Sequence, residues 1–272
     1  MKRALITGIA GSGGSHLAEF LVEKGDLEVH GVSRWHSTTS NTNLKAIRDK
    51  ITLHECDLND LSATIRALQA CKPDYIFHLA AHANVHVCFS NPIAVLQNNI
   101  NNTINLFEAI RIVGLDPIIQ FCGTSEVYGN VAPENIPILE THPIQPVNIY
   151  AVSKLPQEKI ASSYFHSYGM KVIITRTLID VRDAMETYWI ACEKCEYGTP
   201  YNIGGNSIIT VGDFLEQLKK QSTVPIRSMV DKQLLRPVDV TLQVPDVTKF
   251  LDASGWQPRY SLEDSIEFLL NY

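Results

Sequence analysis

No stretch of this chain holds the ~20 consecutive apolar residues that a helix needs to cross a bilayer. The first apolar run, residues 4–9, is too short for a signal peptide and passes straight into glycines. Basic excess is missing too: 23 Lys and Arg stand against 29 Asp and Glu, a net charge of -6. Nucleic acid and anionic membrane surfaces both demand a basic face, so neither is expected as a partner. The six cysteines (Cys56, Cys71, Cys88, Cys122, Cys192, Cys195) are scattered and lack the spacing of a disulfide framework. They read as reduced thiols of a cytoplasmic protein. Cys192 and Cys195 form a Cys-x-x-Cys with no second pair, and His78, His82 and His86 gather near a strand end. Neither set has a convincing ligand pattern, so no metal is expected. Trp256 reads as core. There is no internal repeat and no low-complexity segment.

What is present fits an ordinary globular protein. The 272 residues, 45% apolar and 19% charged, make one large domain or a domain with a small annex. Short β-rich runs at 4–6, 28–32, 51–54, 75–80, 118–122 and 172–175 alternate with helical patterns at 15–24, 61–70, 99–113 and 150–168. Such alternation implies βαβ units, hence a doubly wound parallel sheet of the Rossmann type. After Thr177 the pattern loosens into a helix at 180–195, a short strand at 201–203, a helix at 211–220 and a helical pair within 245–272. We expect a dinucleotide-binding domain over 1–177. Residues 178–272 are expected to complete the sheet and form a small carboxyl-terminal substrate-binding subdomain.

Gly8, Gly11, Ser12, Gly13 and Gly14 lie between the first strand and the first helix. Glycines there permit a tight turn and let a pyrophosphate rest on the helix N-terminus; a plain turn is the alternative. An enzyme using NAD usually ends its second strand with an acid for the ribose 2′-hydroxyl. This chain reads Gly31-Val32-Ser33-Arg34 instead, and Arg34 could clamp a 2′-phosphate. NADP is therefore favoured, with NAD still open. Asp57 and Leu58 would fall near the adenine, and Leu79, Ala80 and Ala81 are small enough to sit against a cofactor.

Tyr150 and Lys154 stand four apart, on one helix face, and are candidates for cofactor binding as well as catalysis. A neighbouring ammonium is expected to lower the phenol pKa and make a general acid/base. At the carboxyl end of the fifth strand, Thr124, Ser125 and Glu126 place two hydroxyls and a carboxylate at the usual active-site edge. Thr124 could bond a substrate hydroxyl, and Glu126 could be a second base.

Taken together, these motifs resemble the extended short-chain dehydrogenase/reductase family over nearly the whole chain. Asp57-Leu58, His78-Leu79-Ala80-Ala81, the 124–129 segment and Tyr201-Asn202-Ile203-Gly204-Gly205 add to the glycine loop and the Tyr-Lys pair. Within that family the chain is most similar to the GDP-mannose 4,6-dehydratase branch. The grounds are Val29-His30-Gly31, Arg34 with its Ser/Thr/Asn run, Thr124-Ser125-Glu126-Val127-Tyr128-Gly129, Glu140-Thr141-His142-Pro143, Leu235-Arg236-Pro237 and Gly255-Trp256-Gln257-Pro258. Asp180-Val181-Arg182-Asp183 leans toward the neighbouring 4-keto-6-deoxymannose reductases.

The resemblance implies an NADP-dependent hydro-lyase acting on a nucleotide sugar. Tyr150, aided by Lys154, would take the C4 hydroxyl proton, Thr124 would hold the C4 oxygen and Glu126 would remove the C5 proton. Ser125 would position the departing C6 hydroxyl and Arg236 would pair with the diphosphate. A reductase, an epimerase, a UDP-glucuronate decarboxylase and a catalytically silent dinucleotide-binding scaffold are the alternatives. The family normally inserts several tens of residues, a substrate lid, where Thr177 here meets Leu178; the expectation is that the lid is missing from this sequence rather than from the protein. Apolar stripes on the helices at 99–113 and 150–168 suggest a homodimer or homotetramer, by likeness to relatives.

Overall fold

The structure is a computed structural model that describes residues 1–34, 41–231, 235 and 240–271. Seven strands form one sheet: β1 (Lys2–Thr7), β2 (Leu27–Ser33), β3 (Ile51–Glu55), β4 (Tyr75–His78), β5 (Ile118–Cys122), β6 (Lys171–Leu178) and β7 (Pro200–Gly204). Their spatial order is β3-β2-β1-β4-β5-β6-β7 and every pairing is parallel. This is the Rossmann-type doubly wound sheet that the alternating pattern implies. The order reverses between β1 and β4, which opens a crevice at their carboxyl ends, where such sheets bind ligands.

The strands are apolar on both faces because both faces are covered. Ala4 and Ile6 of β1 pack with Leu17, Ala18 and Leu21 of α1 (Ser12–Lys24) and with Ala184 and Tyr188 of α6 (Val181–Lys194). Leu5, Ile76, Ile119 and Val172 point the other way, onto α2 (Leu61–Cys71), α4 (Pro92–Val113) and α5 (Ile149–Tyr168). Helix α2 is capped by Asp60, whose carboxylate accepts from the Ser62 and Ala63 amides.

Three departures from the sequence pattern have physical causes. Helix α4 begins at Pro92 rather than 99: between 92 and 98 only Val95 is buried, so no apolar period can be seen there. Strand β4 ends at His78 rather than 80, because the Ala80 amide turns to donate to Thr7 Oγ1 at 3.2 Å. The short α3 (Val85–Ser90) and a 3-10 stretch (Thr42–Lys50) were not foreseen; both lie in connections with little apolar periodicity.

Strand β6 runs unbroken through Thr177 and Leu178, pairing with β7 from Ile174↔Pro200 to Leu178↔Gly204. The boundary expected at residue 177 thus falls inside a strand. Beyond β7, Phe250 of α8 (Thr248–Ser254) and the buried Trp256 just after it join Tyr201 and Ile203 in one core cluster, while α7 (Val211–Gln221) buries no residue and α9 (Leu262–Asn271) buries Ile266. Among the described residues no helix is long and apolar enough to cross a membrane.

Candidate active site

The turn after β1 shapes one wall of a cleft of about 590 Å³. Gly8 takes φ 73°, a left-handed conformation that side chains resist. A Cβ on Gly14 would lie 2.2 Å from the Gly8 carbonyl oxygen, so only glycine lets α1 pack so close. Helix α1 then starts with no side-chain cap and no acid in its first turn, which leaves its positive end to an anion. All the cofactor candidates outside the Tyr-Lys pair line this cleft. Gly8, Gly11, Ser12, Gly13 and Gly14 form one wall, and Arg34 projects exposed at the end of β2. Asp57 and Leu58 follow β3, and Leu79, Ala80 and Ala81 follow β4.

Sequence reasoning missed several further residues here. Asn41 lines the cleft near Arg34, and its side-chain oxygen is buried without a hydrogen-bond partner among the described residues; the same holds for His82 Nε2. Orphaned polar atoms beside a glycine cradle suit a hydroxyl-rich, anionic ligand. Cys122 and Tyr188, 3.3 Å apart, close the inner end. Asn99 on α4 is fully buried; it accepts from the His82 amide at 2.7 Å and donates to His82 O and to Ser153 Oγ at 2.9 Å. Ser153 in turn donates to the Tyr150 carbonyl at 2.7 Å. An amide thereby ties the cofactor-side loop to the helix carrying the Tyr-Lys pair. The run of asparagines at 98–102 inside a helix was the available signal.

Tyr150 and Lys154 sit in the first two turns of α5, whose cap is Asn148. Asn148 Oδ1 accepts from the Ala151 amide at 2.8 Å and Nδ2 donates to Glu126 Oε2 at 2.6 Å. Thr124 caps the turn after β5 by accepting from the Glu126 amide at 3.3 Å, and Ser125, buried, accepts at its carbonyl from Gln243. Tyr150, Thr124, Glu126 and Cys122 therefore meet at the end of β5.

The phenol differs from expectation. Burial pushes the Tyr150 pKa up, and Cys122 and Glu126 push the same way, while a hydrogen bond with Thr124 opposes them. Lys154 is not among the largest of these influences: its ammonium is buried over the Phe121 ring at 4.9 Å, and burial lowers its own pKa. Spacing put the two groups on one face, but desolvation outweighs the charge between them.

Arg236 lies outside the described residues, as does the side chain of His86. His78 is buried between Thr7 Oγ1 at 2.8 Å and Thr103 Oγ1 at 2.9 Å, and burial drives its pKa down to about 3. Cys192 and Cys195 are buried, with thiols pushed up by burial. Among the described residues His30, His54 and Cys71 come close enough to share an ion, but the two imidazoles already hydrogen-bond each other at 3.0 Å and stack. The 180–183 segment, which leaned toward a reductase, has structural work: Asp180 caps α6 and pairs with Arg182, and Asp183 accepts from the Arg259 and Tyr260 amides.

A glycine turn after β1 feeding an uncapped helix end, with tyrosine, threonine and carboxylate at the end of β5, defines a Rossmann-type protein of the epimerase/dehydratase kind. The chain belongs to the GDP-mannose 4,6-dehydratase family, whose sequence profile matches residues 5–180. It is 41% identical over 179 residues to the GDP-mannose 4,6-dehydratase of Yersinia enterocolitica, covering 62% of this chain and 47% of that protein. To the enzyme of the same name from Sordaria araneosa it is 29% identical over 329 positions, covering 98% of this chain and 60% of that protein. The chain thus spans about half the length of these relatives. Those 329 positions exceed the 272 residues of this chain, so the relative carries internal sequence with no counterpart here. The UDP-glucose 4-epimerase of Thermus thermophilus, solved as a complex with NAD, superposes with a TM-score of 0.83 at 26% identity, covering 99% of this chain and 98% of that one.

Proposed function

We propose that this protein is a nucleotide-sugar 4,6-dehydratase that converts GDP-mannose to GDP-4-keto-6-deoxymannose and water. The observation that carries the reading is the convergence of Tyr150, Thr124 and Glu126 beside a glycine-walled cleft. The glycine turn, Arg34, Asp57-Leu58 and Leu79-Ala80-Ala81 would hold the dinucleotide, and Arg34 favours NADP over NAD. When bound, the nicotinamide supplies a reversible two-electron acceptor and, in its oxidised form, a positive ring charge. Thr124 holds the sugar C4 oxygen while Tyr150 takes its proton. To take that proton Tyr150 must be the phenolate, which burial opposes, so it needs positive charge nearby; Lys154, with no hydrogen-bond partner among the described residues, contributes from the same helix. A ketone at C4 acidifies C5, whose proton Glu126 removes. Ser125 orients the C6 hydroxyl that leaves as water. Arg236 would pair with the diphosphate.

The test is direct. The protein with NADP⁺ and GDP-mannose should yield a 4-keto-6-deoxy sugar with no net change in the cofactor, and should bind NADP⁺ more tightly than NAD⁺. Reduction of a keto sugar by NADPH, with no product from GDP-mannose, would assign a reductase instead.

A further inference from the structure

We infer that Asn148 is a positioning residue that aims and sustains the Glu126 carboxylate as the base for C5; the inference rests on the dehydratase reading above. Asn148 is 4% exposed and uses both ends of its amide. As the cap of α5 it must present an acceptor to the Ala151 amide, and Oδ1 does so at 2.8 Å. That requirement settles the orientation of the amide, since the nitrogen can only donate. Nδ2 is thereby left facing Glu126 Oε2 at 2.6 Å, a short bond to an acceptor that carries charge when ionised. Among the described residues it is the one side chain that hydrogen-bonds this carboxylate.

The consequence is a fixed relation between two proton-transfer groups. Tyr150 lies two residues beyond Asn148 in the first turn of α5, and Glu126 lies in the turn after β5. One amide sets the helix end and the carboxylate together. Among the described residues, Tyr150 on α5 and Cys88 on α3 are titratable groups that sense the Glu126 charge. Burial pushes both upward, so each is neutral where a carboxylate titrates. Removing the Asn148 donor with a neutral cap therefore acts on the carboxylate alone, whereas an aspartate there titrates together with Glu126 as a pair.

Asn148→Asp separates the two roles: it keeps the cap acceptor, deletes the donor and sets a like charge against Glu126. Asn148→Ser, another good cap on a shorter side chain, supplies a second arm should the aspartate variant fold poorly. The measurements are deuterium uptake at C5 from heavy water, the pH profile of kcat, dinucleotide binding and the thermal midpoint. The expected result is a lower midpoint in the aspartate variant than in the serine variant, unchanged dinucleotide binding in both, and C5 exchange slowed about tenfold or more. The acid limb of kcat in the aspartate variant should move to higher pH by about one unit, a tenfold change in proton affinity. Wild-type exchange and an unmoved acid limb in a folded variant would overturn this inference alone. A wild-type protein that exchanges no C5 proton of GDP-mannose would overturn both it and the dehydratase reading.

Discussion

At the scale of single residues, burial decides more than spacing does. Tyr150 is proposed to carry the C4 proton, and Tyr150→Phe should lower turnover by about 10²–10⁴-fold, measurable by product formation at saturating NADP⁺. His78 illustrates the opposite use of burial. Its folded pKa of about 3 lies below the ordinary 6.5, so between those values the unfolded chain binds a proton that the native protein refuses. Stability must therefore fall as pH drops below 6.5, by about 1.4 kcal/mol per pH unit from this group. Denaturant midpoints taken across that range for the wild type and His78→Gln should differ in slope by this amount. Equal slopes would mean that His78 is not held neutral.

At the scale of elements, two contacts hold the site in place. The first is the packing of α1 on the turn after β1. In Gly14→Ala the new Cβ would meet backbone atoms, Gly8 O at 2.2 Å and Ile9 Cα at 2.8 Å, so the helix must move off the turn. Dinucleotide binding should weaken by roughly 1.4 kcal/mol or more, a tenfold rise in Kd, read by fluorescence titration. The second is a buried network joining α5, β6, β7 and the turn after β5. Arg176 is 1% exposed; it forks onto Glu158 at 2.5 and 3.1 Å and donates to Tyr128 Oη at 2.6 Å, which donates to Asn202 at 2.7 Å. Glu158→Ala strands the guanidinium and should cost about 3–5 kcal/mol in urea unfolding. The double change Glu158→Leu with Arg176→Met should recover most of that loss, because it removes both buried charges.

At the scale of the whole molecule, α4 and α5 pack on one another and still present Ile93, Ile112, Val152 and Tyr168 to solvent. By likeness to relatives, this helix pair is proposed to carry a symmetric dimer burying on the order of 1,200–2,000 Å². Light scattering should give twice the mass of one chain, and Ile112→Asp should return it to the monomer without loss of helical signal. A wild-type mass of one chain would remove the dimer.

Much of this architecture could be read from residues alone, for a definite reason. Strands buried on both faces and helices with one buried stripe write their periods into the sequence, so the sheet, its parallel sense and the glycine turn were legible. So were Thr124, Glu126, Tyr150 and Lys154, since local spacing places them on a strand end and a helix face. What periodicity cannot encode is who meets whom across the fold. The first turns of α4 were hidden because Val95 is their one buried residue, too little to write an apolar period. The upward shift of Tyr150, the facing of Asn148 toward Glu126 and the loop-to-helix tie through Asn99 all arise between segments tens of residues apart. Local sequence determined the elements and the chemistry each offers; only tertiary packing decided desolvation and hydrogen-bond partners, because both depend on neighbours that the chain brings together by folding.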